Sequence, residues 1–576
     1  MDGANRIALL LMALAVGGCE PDTPTNPSAP DFALIIRNGL VYDGSGAAPV
    51  LQDLAISKDG LIAEWLPPGS PATADQEVDA AGLAVAPGFI NMLSWANQPL
   101  VVDGRGMSDT KQGVTLQIFG EGWSMGPLND AMRTTAAARQ GDLRYPIEWT
   151  TLGGYLDFLV QRGVTPNVAS LVGATTVRIH VLGEDDVDPS PEQLARMQDL
   201  VREAMAEGAL GVGASLIYPP AYFAETPELI ALAQAAAESG GGYMAHIRSE
   251  SARILPALEE TIEIGRASGQ HVEVYHLKVA GQPHWPKMAE AIARIEQARA
   301  DGVDISANMY AYTAGATGLT STLPPWVQAG GHRAMIERLH DPAIRERLKV
   351  EMNQPDESWE NKRLLAGDDS AILFIGFRSE ALKPLTGKTL AQVAALRGTS
   401  PEDTIIDLII EDDSRVTTAY FQMSEENVEL GLRQPWVTLG SDAGATAPEG
   451  AFLKTSTHPR AYGNVARFLG EYVRERQLMP LEQAIHRLTG LPARQWKLSG
   501  RGCLAVGCHA DVVIFDPATI SDHATYAEPM QYASGVRDVY VNGVQVLRDG
   551  EHTGAMPGQV VRGPGWLPPA KPDSAD

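Results

Sequence analysis

The sequence predicts an α/β protein: a (β/α)8 TIM-like barrel carrying a small β-sandwich built from both termini. Two observations predict it. Eight short apolar runs in the middle of the chain alternate with amphipathic helical stretches, and strand-like runs broken by Asn-Gly and Asp-Gly occur at both ends. Alternation of strand and helix implies parallel strands, and eight of them fit a closed barrel.

The elements follow in chain order. The first eighteen residues have a short polar start with Arg6 and an apolar run from Ile7 to Val16, too short to span a bilayer of ~20 helical residues but suited to an export signal. Val16-Gly17-Gly18-Cys19 resembles a bacterial lipobox, which makes Cys19 the expected lipidation site. The Pro/Thr/Ser/Asn-rich stretch 19–31 reads as a tether, because it cannot bury enough surface to fold. Residues 32–83, with FALIIRNGLVYDGSG and LQDLAISKDGLIAEWLP, read as hairpins, and so does 496–564, with ADVVIFDP and VRDVYVNGVQVLRDGEHTG; these form the expected sandwich. A tail, 565–576, follows.

The barrel is expected over 84–495. Its candidate strands are LAVAPGFINML (83–93), VTLQIF (114–119), NVASLVG (167–173), ALGVGAS (209–215), YMAHIR (243–248), VEVYHLK (272–278), ISANMYAY (305–312) and WVTLGSD (436–442). Ser190 and Thr226 read as N-caps of intervening helices. The stretch of about 320–404 exceeds one crossover and reads as a helical insertion after the seventh strand, a candidate lid.

Composition narrows the function. Lys+Arg 45 against Asp+Glu 71 gives a net charge of −26, a surface that repels phosphate backbones and argues against nucleic-acid partners. Three cysteines exclude a thiolate zinc cluster. Cys503 and Cys508 read as two buried small residues in preference to a disulfide.

In such barrels, polar residues at the C-terminal ends of strands face the active site. Among the twelve histidines, His246 and His276 lie in apolar strand runs near their ends, on successive strands. Glu121 follows the second strand and Asp442 ends the eighth. Two imidazoles and a carboxylate are the ligand set of a catalytic zinc with an open fourth position, and such an ion acidifies water and polarises a carbonyl. A carboxylate ligand also suits iron or manganese. Asp442 is then placed to take the water's proton and deliver it to a leaving amine.

The segments VAPGFIN, AHIRSE, YHLKVAG, TLGSDAGA, HPRAYGNVARFLGEYV, LTGLPARQWKLSGRGCLAVGCHADVVIFDP and DVYVNG resemble the N-acyl-D-amino-acid deacylase (D-aminoacylase) branch of the amidohydrolase superfamily, from about Phe32 to Gly563. The resemblance implies a metal-dependent barrel with a sandwich from both termini, His246 and His276 as metal ligands, Asp442 as general base and acid, and Lys278, Arg248 and Tyr310 as substrate contacts. Arg460 in HPRAYG either joins them or braces a loop. Lys278 and Arg248 also offer charge-assisted binding to a substrate carboxylate on chemical grounds.

This sequence departs from the family pattern in three places. After PGFI the family carries Asp-x-His-x-His, whose histidines hold a second metal; here the run is Asn91-Met92-Leu93-Ser94-Trp95, without either imidazole. Glu121 stands where relatives commonly place a metal-binding cysteine, and Ala174 where they often carry histidine. One divalent ion is therefore expected on Glu121, His246 and His276.

Gly122-Trp123-Ser124-Met125-Gly126 satisfies the G-x-S-x-G pattern of serine hydrolases, but Met125-Gly126-Pro127 is a poor helix start, so the segment reads as a loop lining the pocket mouth. The expected protein is an exported, membrane-anchored lipoprotein, periplasmic or at the cell surface, that hydrolyses a small-molecule amide. The rival readings are a metal-free binding lipoprotein on the same scaffold and a metal enzyme cleaving dipeptides or cyclic amides.

Overall fold

A computed structural model describes residues 31–568; Cys19 and the expected export signal lie outside the described residues. Phe32–Val41 (β1), Val50–Ile56 (β2), Ile62–Leu66 (β3), Ala74–Asp79 (β4) and Ala84–Pro87 (β5) open the chain. Phe89–Asn91 (β6), Val114–Phe119 (β7), Asn167–Ser170 (β8) with its continuation Val172–Gly173 (β9), Gly211–Ser215 (β10), Gly242–His246 (β11), Val272–Val274 (β12) and Ile305–Met309 (β13) follow. After the insertion strands Ala314–Gly318 (β14), Ile372–Gly376 (β15) and Thr417–Phe421 (β16) come Val437–Leu439 (β17) and the C-terminal strands Val512–Phe515 (β18), Val536–Val541 (β19), Val544–Arg548 (β20) and Glu551–His552 (β21).

All eight expected barrel runs form strands, and every pairing among them is parallel: β6-β7-β8 in one ladder and β9-β10-β11-β12-β13-β17 in the other. Backbone bonds also join first to last, since Met92 N–H donates to the Leu439 carbonyl (3.0 Å) and Asp442 N–H to that of Leu93 (2.9 Å). These strands are buried throughout, which is why they read as continuous apolar runs without alternation. The helices cover them with one apolar stripe each. In Pro191–Ala206, Met197, Leu200, Val201, Ala204 and Met205 face inward at helical spacing, and Ser190 caps the start in a reciprocal pair with Gln193. The second expected cap is corrected: Glu225 holds the N-cap position, and Thr226 sits one residue inside, donating to Glu260 Oε1 (2.8 Å).

The two chain ends meet in one nine-stranded sheet, ordered β21-β20-β19-β18-β5-β1-β2-β3 with β4 also on β1. Where two stacked sheets were expected, the hydrogen-bond ladder is continuous. Alternation along β1 sends Leu34 and Ile36 into a core with Leu54, Ile56, Val512 and Ile514, and Ile35 to the opposite face beside Ala55 and Leu66. Cys503 and Cys508 are joined in a disulfide, correcting the reading as separate buried thiols. The insertion, expected to be helical, carries a three-stranded antiparallel sheet, β14-β16-β15, with helices packed on a core of its own around Leu348, Phe374, Ile405 and Tyr420. Among the described residues no helix is long and apolar enough to cross a membrane.

Candidate metal centre and substrate cavity

Glu121, His246 and His276 project from the ends of β7, β11 and β12 into one buried cluster. Gly120 and Gly122 adopt φ of +108° and +68°, and a Cβ at either would meet the Leu171 carbonyl or Ser215 at 2.4–2.6 Å. That left-handed double turn re-aims the chain after β7 and swings Glu121 inward. His276 and Asp442 also have positive φ, +34° and +49°, in a region that non-glycine residues rarely occupy. Each is held there by a backbone bond: His276 N–H donates to Asn308 Oδ1 (2.9 Å), and Asp442 N–H to Leu93.

Glu121 Oε1 lies 2.9 Å from His246 Nδ1 and 3.1 Å from His276 Nε2. One ligand atom from each of the three residues falls within 4.8 Å of the others. The remaining ring nitrogens face Glu250, with His246 Nε2 at 3.4 Å from Oε2 and His276 Nδ1 at 3.2 Å from Oε1. This is the outer carboxylate that orients metal-binding imidazoles. Burial pushes the Glu121 carboxyl up, but the two imidazoles outweigh burial and hold it well below the usual range. Burial and Lys278 push His276 down; Glu250 and Glu121 outweigh them, raising it to about 9. A buried carboxylate bridging two imidazoles, both held from behind by a second carboxylate, fits a divalent ion.

Around the cluster lies a cavity of about 330 Å³ lined by Trp95, Lys278, Tyr310, Asp442, His458 and Arg460, among others. Asp442 Oδ2 is paired with Arg460 Nη2 at 2.8 Å, and its pKa is raised by burial and by Glu121 against the pull of Arg460. Arg460 sits 4.5 Å over the Tyr310 ring, with its Nε and Nη1 lacking a hydrogen-bond partner among the described residues. Lys278 Nζ is paired with Glu250 and 2.7 Å from His276 Nδ1. These placements bring together every expected site residue within the described chain but one. Arg248 lies outside this cavity: Glu260, from the following helix, holds its guanidinium at 2.9–3.0 Å, and the carbonyls of Tyr222 and Ala224 take the rest.

The roof comes from the insertion: Gly315, Thr317, Arg415, Thr417 and Tyr420 line the cavity, and Lys362 reaches in to 3.4 Å from Glu250 Oε2. Glu360 beside it accepts from Ser249 Oγ (2.6 Å), Ser251 Oγ (2.7 Å) and Glu250 N–H (2.9 Å). Glu250, Glu360 and Lys362 were not singled out from sequence; Glu250 had a signal, an acid four residues after His246 in AHIRSE. Ser124 is a loop brace, its hydroxyl donating to the Gly126 carbonyl (2.6 Å) and accepting from Gly173 N–H (2.9 Å). Asn91, where the family carries aspartate, ties β6 to the end of β17 by donating to Ser441 Oγ (2.8 Å) and to Asp109 Oδ2 (2.9 Å). Trp95 bridges the two acids of the site: its indole N–H donates to Glu121 Oε2 (3.0 Å) and Asp442 Oδ1 (3.1 Å).

Parallel strands bearing a carboxylate and two imidazoles at their ends, with an aspartate beside them, define the class of barrel hydrolases built around a divalent metal. The chain belongs to the amidohydrolase family, whose model matches residues 76–547. The D-aminoacylase of Alcaligenes xylosoxydans xylosoxydans is 33% identical over 531 residues, covering 92% of this chain and 97% of that protein. The N-acyl-D-glutamate deacylase of Bordetella bronchiseptica, solved with zinc and a phosphonate inhibitor that mimics the tetrahedral intermediate, superposes with a TM-score of 0.76 at 31% identity, covering 92% and 99% of the two chains. A D-aminoacylase structure described as having a binuclear metal centre with one-metal activation and second-metal attenuation gives 0.77 at 31%, covering 92% and 100%.

Proposed function

We propose that the protein removes the acyl group from N-acyl-amino acids, of the D series that its relatives' names specify, with one divalent cation on Glu121, His246 and His276. Zinc is the expected ion, and the donor set also suits iron or manganese. The observation that carries this reading is Arg460: a buried guanidinium with two unpartnered donors, in the same cavity as the metal cluster and 2.8 Å from the candidate base. An unpartnered buried charge is costly, and a substrate carboxylate completes it in the fork geometry that arginine favours.

When bound, the cation supplies Lewis acidity to the scissile carbonyl and to the attacking water. Asp442 accepts that water's proton at a carboxylate oxygen and passes it to the amide nitrogen as the amine leaves. Arg460 holds the substrate carboxylate with its free donors, Lys278, whose own donors go to Glu250 and His276, adds positive charge to that side, and the buried Tyr310 ring walls it. Burial of the whole set strengthens each of these interactions by excluding water.

Three finer readings accompany it. The eight parallel strands form a closed barrel, which the Met92–Leu439 and Leu93–Asp442 backbone bonds support. The nine-stranded sheet forms the small β-domain. The protein is exported and tethered through a lipid on Cys19, facing the periplasm or cell surface; the Cys503–Cys508 disulfide supports an oxidising compartment.

The test is a set of N-acyl-D- and N-acyl-L-amino acids offered to zinc-loaded protein, with release of free amino acid measured. Turnover confined to acylated D-amino acids is expected. Absence of turnover on every acyl-amino acid by protein carrying a full complement of metal would overturn the proposal.

A further inference from the structure

We infer that Trp95 restricts this centre to one cation, by placing an indole N–H in the space a second cation would need between Glu121 and Asp442. The inference rests on the metal reading above and extends it. Glu121 divides its oxygens: Oε1 faces the two imidazoles, and Oε2 faces Trp95. A carboxylate bridging two ions uses one oxygen for each, so Oε2 is the atom a second ion would take. That atom is capped by a donor at 3.0 Å, and the same N–H closes Asp442 Oδ1 at 3.1 Å. An indole nitrogen donates and has no lone pair in the ring plane to offer a metal.

The ring is fixed in that position. The backbone N–H of Trp95 donates to the Ala443 carbonyl at 3.0 Å, and Ser94 pairs with Ala443 as an isolated parallel bridge, so the segment after β17 that carries Asp442 also holds the backbone of Trp95. Leu93, two residues back, is fully buried against Ile90, Leu116 and Met244 and supplies no ligand atom. Trp95 therefore does by hydrogen bonding part of what a second ion does by charge: it ties the candidate base to the metal-binding carboxylate. A relative described as attenuated by its second metal has a state that this chain cannot enter.

The experiment counts ions. Metal-depleted mature protein is titrated with Co²⁺, and bound metal is measured by elemental analysis and by the visible absorption of bound cobalt. Wild type is expected to saturate at one equivalent and to stay there in excess metal. Leu93→His/Trp95→His, which restores two imidazoles, is expected to reach two. Trp95→Phe, which keeps the bulk and removes the N–H, is expected to admit a second, weaker equivalent; circular dichroism confirms that both variants are folded. A second equivalent in wild type, or one equivalent in both folded variants, would overturn the assignment to Trp95 while leaving the metal reading standing. No bound metal in wild type would remove the metal reading and this inference with it.

Discussion

The floor and the roof of the cavity are built on different principles. On the floor, strand ends supply Glu121, His246, His276 and Asp442, and each of these meets an opposite or complementary group within about 3 Å. The roof, from the insertion, presents a cationic Arg415 beside Tyr218 at 5.3 Å, small residues and two threonines, with Lys362 and Glu360 reaching the network below. The floor is pre-assembled by ion pairs and hydrogen bonds, and the roof is joined to it through Lys362 and Glu360.

Removing a floor ligand sharpens this contrast most. Glu121→Ala or His246→Ala is expected to lower kcat/KM on the order of 10³-fold or more and to empty the protein of metal, read by elemental analysis beside kinetics. Arg460→Ala is expected to cost about 10–100-fold in kcat/KM, as for a lost charge-assisted hydrogen bond of about 1.5–3 kcal/mol, with metal content intact. Lys362→Met tests the cationic contact between roof and floor. Zinc affinity should fall by about 10–100-fold through loss of Glu250's support, measured by competition with a chelating dye, and an unchanged affinity would mean that the roof has no hold on the metal.

Asp109 probes the floor from behind. It is buried among amides, Asn91 and Gln117, in place of cations, and burial outweighs their bonds to push it up to about 6. Its pKa is raised on folding, so its contribution to stability is present below about pH 4 and lost as pH rises to about 6. The difference is about 3 kcal/mol, and Asp109→Asn should flatten that slope in denaturant titrations at stepped pH. The smallest effects lie at the rim. Arg415→Ala should raise KM a few-fold with kcat unchanged, consistent with a surface charge worth about 1 kcal/mol or less. Ser124→Ala should leave activity intact and cost about 1 kcal/mol of stability.

The floor was legible in the sequence and the roof was not. Barrel strands buried on both faces read as unbroken apolar runs, and ionisable residues at their ends stand out against that background. The roof strand AGATG, at 314–318, has neither apolar alternation nor β-branched density to announce it, and it forms because β16 pairs with it. Arg248 was misplaced because position at a strand end says nothing about which neighbour captures a long side chain; Glu260, twelve residues on, does so. Glu250 was hidden in plain view, since its role depends on facing the far side of two rings. Trp95 could be read only as a missing ligand, because its hydrogen bonds join residues 26 and 347 positions away. The Cys503–Cys508 link had no flanking pattern to separate it from two buried thiols.

The nine-stranded sheet imposes an order on biosynthesis. β5 pairs with β1 on one side and with β18 on the other, and β18 begins only at Val512 of 576 residues. While the ribosome is still making the barrel, the edge of β5 has no neighbour and the emerging N-terminal strands form an incomplete sheet. The last segment also threads back under the barrel, where Val561 N–H donates to the Val168 carbonyl (2.8 Å) and Gly563 N–H to that of Gly208 (2.9 Å). Assembly of this sheet thus waits on its C-terminal strands, and β5, made early, is among the last of its strands to find both neighbours.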